Sequence, residues 1–295
     1  FVSLPIAALV IFIIVTKGTF KKLERLFLLL ITFYIAYFVS ALIIKPDWSL
    51  AVQSLIRPSV SLDATFLLTV IAVIGTTITP WGQFFIQNYI VDKKLSKHDL
   101  KIERIDVMFG SFLTHIIAFF IIVVCAEVFF AKGIYITDAK DAALALQPLA
   151  GDFASVLFAF GFLNASLFGA VLVPISTSYV ITEAFGLESG LNFNFKEAPQ
   201  FYGLFAASII IGVLLVILPF VPLINILFLT QALNAVLLLP IFVFLYILSN
   251  DKKILGEYSN GRLTNIIVMI IFGVISIASL LYFISLFFPN IFNLF

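Results

Sequence analysis

An all-α, multi-pass transmembrane helical bundle with a broken helix at about 75–80 is the fold class that three features of this sequence predict. First, 62% of the 295 residues are hydrophobic and only 11% are charged, where a soluble domain carries about a quarter charged residues. Second, the apolar residues gather into runs of about 20, the length that crosses about 30 Å of bilayer hydrocarbon as a helix. Third, lysine and arginine concentrate in every second link between those runs, as the positive-inside rule requires.

The elements follow in order. The opening run, Phe1 to Val15, is apolar but short for a span. A chain that opens on Phe1 is expected to begin partway into a helix, with earlier helices missing. A cleaved signal peptide would carry its basic residues ahead of the apolar stretch, whereas Lys17, Lys21, Lys22 and Arg25 come after it. Full spans are predicted near 23–44, 64–90, 106–131, 153–186, 201–219, 222–248 and 263–288, which with the partial first helix makes about eight membrane segments. Pro219 and Pro222 are expected to reverse the chain between the sixth and seventh, because proline fixes φ and removes a donor. Residues 1–295 are read as a single transmembrane domain.

The links after segments one, three, five and seven hold 13 of the 17 basic residues, Lys93 to Arg104 contributing the densest group; the other links hold Lys45, Arg57, Lys132 and Lys140. The first set is predicted to be cytoplasmic and the C-terminus external. The group from Lys93 to Arg104 reads as contact with anionic lipid. Net charge is only +1, which argues against nucleic acid as a partner. The single cysteine, Cys125, excludes an internal disulfide and reads as a packing residue.

Breakers fall inside several spans: Gly75 and Pro80, Gly169 and Pro174, and Pro240. Pro174 and Pro240 read as kinks. The stretch Gly75-Thr76-Thr77-Ile78-Thr79-Pro80-Trp81-Gly82-Gln83 differs, because it sets glycine, β-branched residues and proline in the middle of one span. Pro80 has no N–H and clashes with the carbonyl of Thr76, so the helix is expected to unwind and free backbone carbonyls. Irregular backbone at that depth survives where protein or a water-filled cavity surrounds it, and transporters bind ions at such breaks. The ligand expected there is a cation held by oxygens. The competing reading is a proline kink whose threonines bond back to their own helix.

Gln231 and Asn234 lie three residues apart on one helix face. Each amide offers an oxygen to a metal, or alternatively a hydrogen bond between helices. Asp106, His115, Glu127, Asp152 and Glu183 are ionisable residues in or near spans, a placement that raises a functional question because burying charge is costly. All but His115 sit near span ends, and His115 reads as a hydrogen-bonded structural residue in preference to a proton relay. No nucleophile with its base and orienter, no metal-spaced Cys/His cluster and no phosphate-binding glycine loop can be assembled, so no enzyme is expected.

These residues resemble the Nramp family of divalent-metal transporters, over nearly the whole chain and from family helix four to helix eleven. The resemblance is carried by Leu23-Glu24, Pro46-Asp47-Trp48, the break from Gly75 to Gln83, Arg104-Ile105-Asp106, Asn250-Asp251-Lys252-Lys253 and the run Gly256 to Gly261. It implies an inverted-repeat, leucine-transporter-like fold, and the parity of its helices agrees with the orientation above. Family helix one, with an Asp-Pro-Gly-Asn break, would precede Phe1. The family's Met-Pro-His motif is replaced here by Thr79-Pro80-Trp81, with Thr76 at the carbonyl position and Gln231 resembling the helix-ten glutamine.

A threonine hydroxyl is a hard ligand where methionine is soft, so the resemblance implies Mn²⁺ or Mg²⁺ as transported substrate, as in the Nramp-related magnesium transporters. Trp81 in place of histidine removes a titratable group and implies weak or absent proton coupling. The implied partners are a divalent metal ion and the lipid bilayer of the cell membrane, with no resident cofactor and an open oligomeric state. Two rival expectations remain: a sodium-coupled transporter of an amino acid or other organic solute on the same fold, and a membrane scaffold with purely structural kinks.

Overall fold

The computed structural model describes residues 3–18, 20–130, 133–134, 139–217 and 222–287. Every regular element among them is helical. In chain order these are α1 (Ser3–Lys17), α2 (Phe20–Thr32), α3 (Ile35–Ile44), α4 (Trp48–Ile56), α5 (Ala64–Thr77), α6 (Pro80–Asp92) and α7 (Leu100–Val128). They continue as α8 (Ala139–Ala184), α9 (Pro199–Ile217), α10 (Leu223–Asn250), α11 (Lys252–Leu255), a 3₁₀ turn at Gly256–Tyr258 and α12 (Arg262–Phe287).

Among the described residues seven helical stretches are long and apolar enough to cross a membrane, and the shorter Ser3–Lys17 adds the partial first helix. These match the predicted spans in number and order. The expected reversal at Pro219–Pro222 lies largely outside the described residues; α9 ends at Ile217, and α10 begins at Leu223 behind an N-cap at Pro222. Both α8 and α10 remain helical through Pro174 and Pro240.

Two local features were not anticipated from composition. The second span is divided at Phe33–Tyr34, where Phe33 N–H donates to the Leu30 carbonyl at 3.1 Å and Tyr34 N–H to Ile31 at 3.1 Å, a tightened 3₁₀-type turn. The buried Asn164 of α8 donates its amide N–H to the same Leu30 carbonyl at 2.8 Å. The link after that span contains α4, whose N-cap Asp47 accepts from Leu50 N–H at 3.0 Å.

The chain forms two compact units. One comprises Phe1–Pro58 and Phe84–Phe220, the other Ser59–Gln83 and Val221–Phe295. In the first, Val15, Leu23, Ile175, Phe201, Tyr202 and Phe205 are fully buried at the heart of one cluster, and Tyr37, Val124, Val128 and Phe158 centre another. Tyr37 lies flat against Gly161, where an added Cβ would stand 2.9 Å from the ring.

The last turn of α6 is tied to its unit twice. Tyr179 of α8 donates its hydroxyl to the Asp92 carboxylate, while the Leu191 N–H donates to Tyr179 Oη at 3.0 Å and to Asp92 Oδ2 at 3.3 Å. Lys93 Nζ pairs with Glu24 Oε1 of α2 at 2.8 Å and bonds Tyr89. Lys93, grouped with the lipid-facing cations on sequence grounds, is therefore committed to a protein partner. Burial works against its charge, but the hydrogen bonds it donates to Glu24 and Tyr89 outweigh it and hold the ammonium pKa above the ordinary 10.5.

The second unit is built on α5, α10 and α12, with Ile71, Ala232 and Ala235 fully or almost fully buried. Lipid tails are as apolar as leucine, so these helices gain little from water exclusion and rely on close van der Waals fit. Small residues supply it. Ala72 and Gly75 on α5, and Ala232 and Ala235 on α10, each three residues apart, are all buried. At the asparagine-rich start of the α10–α12 link, Asn250 and Asn265 exchange two amide hydrogen bonds, of 3.0 and 2.6 Å.

Candidate metal site

The predicted break is present. Asp63 caps α5 by accepting from Thr65 N–H at 3.0 Å and Phe66 N–H at 2.9 Å, and the helix then runs to Thr77. The ladder closes with Ile78 N–H on the Ile74 carbonyl at 2.9 Å, after which Ile78 turns to an extended φ of −117° and ψ of 90°. The peptide that would serve the Thr76 carbonyl belongs to Pro80, which has no N–H. Pro80 instead opens α6, where its fixed φ suits the first helical position.

The three threonines of the break behave differently. Thr77 bonds back to the Val73 carbonyl at 2.7 Å, the purely structural pattern. The hydroxyls of Thr76 and Thr79 make no hydrogen bond with any described residue, Thr76 being exposed and Thr79 half-buried. Thr79 Oγ1 leans over the first turn of α6, 3.0 Å from the place a Cβ on Gly82 would take. The helix end thus presents two uncommitted hydroxyls and the carbonyl opposite Pro80.

Gln231 meets this segment through the backbone. A Cβ on Gly75 would stand 1.9 Å from the Gln231 carbonyl oxygen and 2.9 Å from Ala235 N, so α5 and α10 cross in backbone contact one residue before Thr76. Glycine here does more than weaken the helix, as composition had indicated: it is the only residue that lets the two backbones come this close. The Gln231 side-chain oxygen accepts from Asn234 Nδ2 at 3.0 Å. The two amides singled out by their spacing therefore hold each other on one face of α10. A cation taking the Gln231 oxygen would have a second lone pair to use, or would displace that bond.

The remaining ionisable residues stand apart. Asp106, Glu127 and Glu183 are exposed near helix ends, and the Asp152 side chain lies outside the described residues. His115 bonds through Nδ1 with the Ser111 carbonyl at 2.7 Å, a partner on its own helix. Among the described residues no group of three or more His, Cys, Asp or Glu is placed to hold a metal. A cation held at the break by Thr76, Thr79 and Gln231 would meet neutral oxygens.

A multi-pass helical membrane protein with one span broken at a threonine–proline step is the class these observations define. A family model described as "Natural resistance-associated macrophage protein-like" matches residues 1–285, and the chain belongs to this Nramp family. Three relatives carry the name "Divalent metal cation transporter MntH". The one from Ralstonia nicotianae is 26% identical over 296 residues, covering 90% of this chain and 61% of the relative. That from Caldanaerobacter subterraneus is 29% identical over 166 residues, with 54% and 39% covered. That from Clostridium acetobutylicum is 24% identical over 244 residues, with 80% and 54% covered. The alignments thus reach 39% to 61% of these relatives' length.

Proposed function

We propose that this chain forms part of a divalent metal cation transporter of the Mn²⁺/Mg²⁺ class, resident in the cell membrane and working by alternating access with weak or absent proton coupling. The observation that carries the reading is the break at Ile78–Thr79, with the hydroxyls of Thr76 and Thr79 uncommitted and Gln231 of α10 on the helix turn that crosses α5 there. In this reading Thr76 offers its carbonyl, Thr79 its hydroxyl directly or through water, and Gln231 its amide oxygen to the transported ion. Three neutral oxygens without a thioether suit hard cations that keep part of their water shell. The names of the relatives support the metal, and Trp81 beside the site supports uncoupled transport, since indole does not titrate.

The broken helix gives the movement a natural pivot. In transporters of this kind, one helical bundle rocks against the other around a midplane site built from unwound backbone. Rocking is easiest at a joint that costs few helical hydrogen bonds, and beyond Ile78, whose N–H closes the α5 ladder, Pro80 has no N–H to offer the Thr76 carbonyl.

The test is uptake of Mn²⁺ and Mg²⁺ into proteoliposomes with internal pH followed in parallel, alongside Mn²⁺ quenching of Trp81 fluorescence. Uptake of both ions without acidification is expected, with Thr79→Met shifting preference toward Cd²⁺. Binding of neither ion by the wild-type protein would refute the metal reading.

A further inference from the structure

One face of the α10–α12 pair carries a groove that changes character along its length. Its wide end, about 660 Å³, is lined by Tyr246, Arg262, Asn265, Ile266, Met269 and Ile270. Tyr246 and Met269 also wall a narrower trough of about 210 Å³, whose remaining sides include Phe242, Val268 and Phe272. The two adjoin at these side chains, the first with polar groups in its lining and the second almost entirely apolar.

The depth matches one leaflet. Arg262 is the first residue of α12, at the link between two spans and so at the level of lipid headgroups. Phe272 lies ten residues further on, about 15 Å along the helix axis, and half the hydrocarbon thickness is also about 15 Å. A trough of that reach takes an acyl chain.

The polar end is open for an anion. Arg262 is exposed and makes no ion pair or hydrogen bond with any described residue, and the Tyr246 hydroxyl has no described partner either. Asn265 is occupied by Asn250 and serves as fixed floor. The link that ends at Arg262 adds Lys252 and Lys253 against Asp251 and Glu257, and Asp251 caps α11 by accepting from Lys253 N–H at 2.8 Å. A free guanidinium presents a planar fork that matches two phosphate oxygens.

We infer that this groove holds one anionic phospholipid, its phosphate on Arg262 and Tyr246 and one acyl chain along Met269 toward Phe272. The site is separate from the cation site and stands whether or not that reading holds. It would act as a tether for the α10–α12 pair.

Native mass spectrometry of the protein released from nanodiscs of phosphatidylglycerol and phosphatidylcholine, matched in chain length, tests the inference. The wild-type protein is expected to retain one phosphatidylglycerol with several-fold preference. Arg262→Gln should bring the two lipids to parity, Arg262→Lys should keep part of the preference, and Met269→Trp should reduce retention of both by filling the trough. Circular dichroism of each variant verifies that the helices persist. Equal retention of phosphatidylglycerol by wild type and Arg262→Gln would overturn the proposal. So would disulfide crosslinking of Met269→Cys between two copies, which would assign the groove to a second copy of this chain.

Discussion

Replacing Gly75 by alanine puts a methyl group into the α5–α10 crossing. The new Cβ would stand 1.9 Å from the Gln231 carbonyl oxygen, where real Cβ atoms essentially never come within 3.0 Å, so the helices must separate by at least 1.1 Å at that point. The obstructing atoms are backbone, the Gln231 carbonyl and the Ala235 nitrogen at 2.9 Å, and no side-chain rotation relieves them. Overpacking of this kind costs about 1–3 kcal/mol. Alanine recovers about 1 kcal/mol of helix propensity over glycine, which leaves a net loss of about 0–2 kcal/mol. Against a glycine-to-alanine control that has the same propensity gain and no clash, the full difference of about 1–3 kcal/mol is expected. Reversible unfolding in mixed detergent micelles, followed by circular dichroism, reads the loss. Gly169→Ala is the internal control, since a Cβ there meets nothing within 4 Å; its expected effect is neutral or slightly stabilising. A Gly75→Ala protein as stable as the Gly169→Ala protein would refute the close crossing.

Other expectations follow from the same contacts. Tyr179→Phe removes the hydroxyl shared by Asp92 and Leu191 N–H and should destabilise the protein by about 1–3 kcal/mol, read by the same unfolding assay. The Lys93–Glu24 pair should make stability sensitive to alkali. The folded-state pKa of Lys93 is raised, so its contribution is complete below the ordinary 10.5 and disappears as pH rises through the higher folded value. Glu24→Gln should flatten that alkaline slope in a pH series of melting curves, and an unchanged slope would show the pair to be inert. Gly82→Ala crowds Thr79 Oγ1 to 3.0 Å and should weaken Mn²⁺ quenching of Trp81 several-fold without lowering helicity; unaltered quenching would remove Thr79 from the site.

The parts of this protein governed by local chemistry are legible in its sequence. Membrane spans follow from apolar length, and the break from Pro80, whose missing N–H acts on the carbonyl four residues earlier whatever surrounds it. Even the helix α4 has a local signal, Asp47 before a run of helix-forming residues, though the run is too short to register as a span. What the sequence could not determine are relations between residues distant along the chain. Gly75 reads as a weak helix residue until α10 is laid against it, and Lys93 as one of several lipid-facing cations until Glu24 is found 2.8 Å away. Tyr179, Asp92 and Leu191 carry no motif at all. Their partnership arises because buried polar groups must find hydrogen bonds wherever packing puts them, and only the tertiary structure decides where that is.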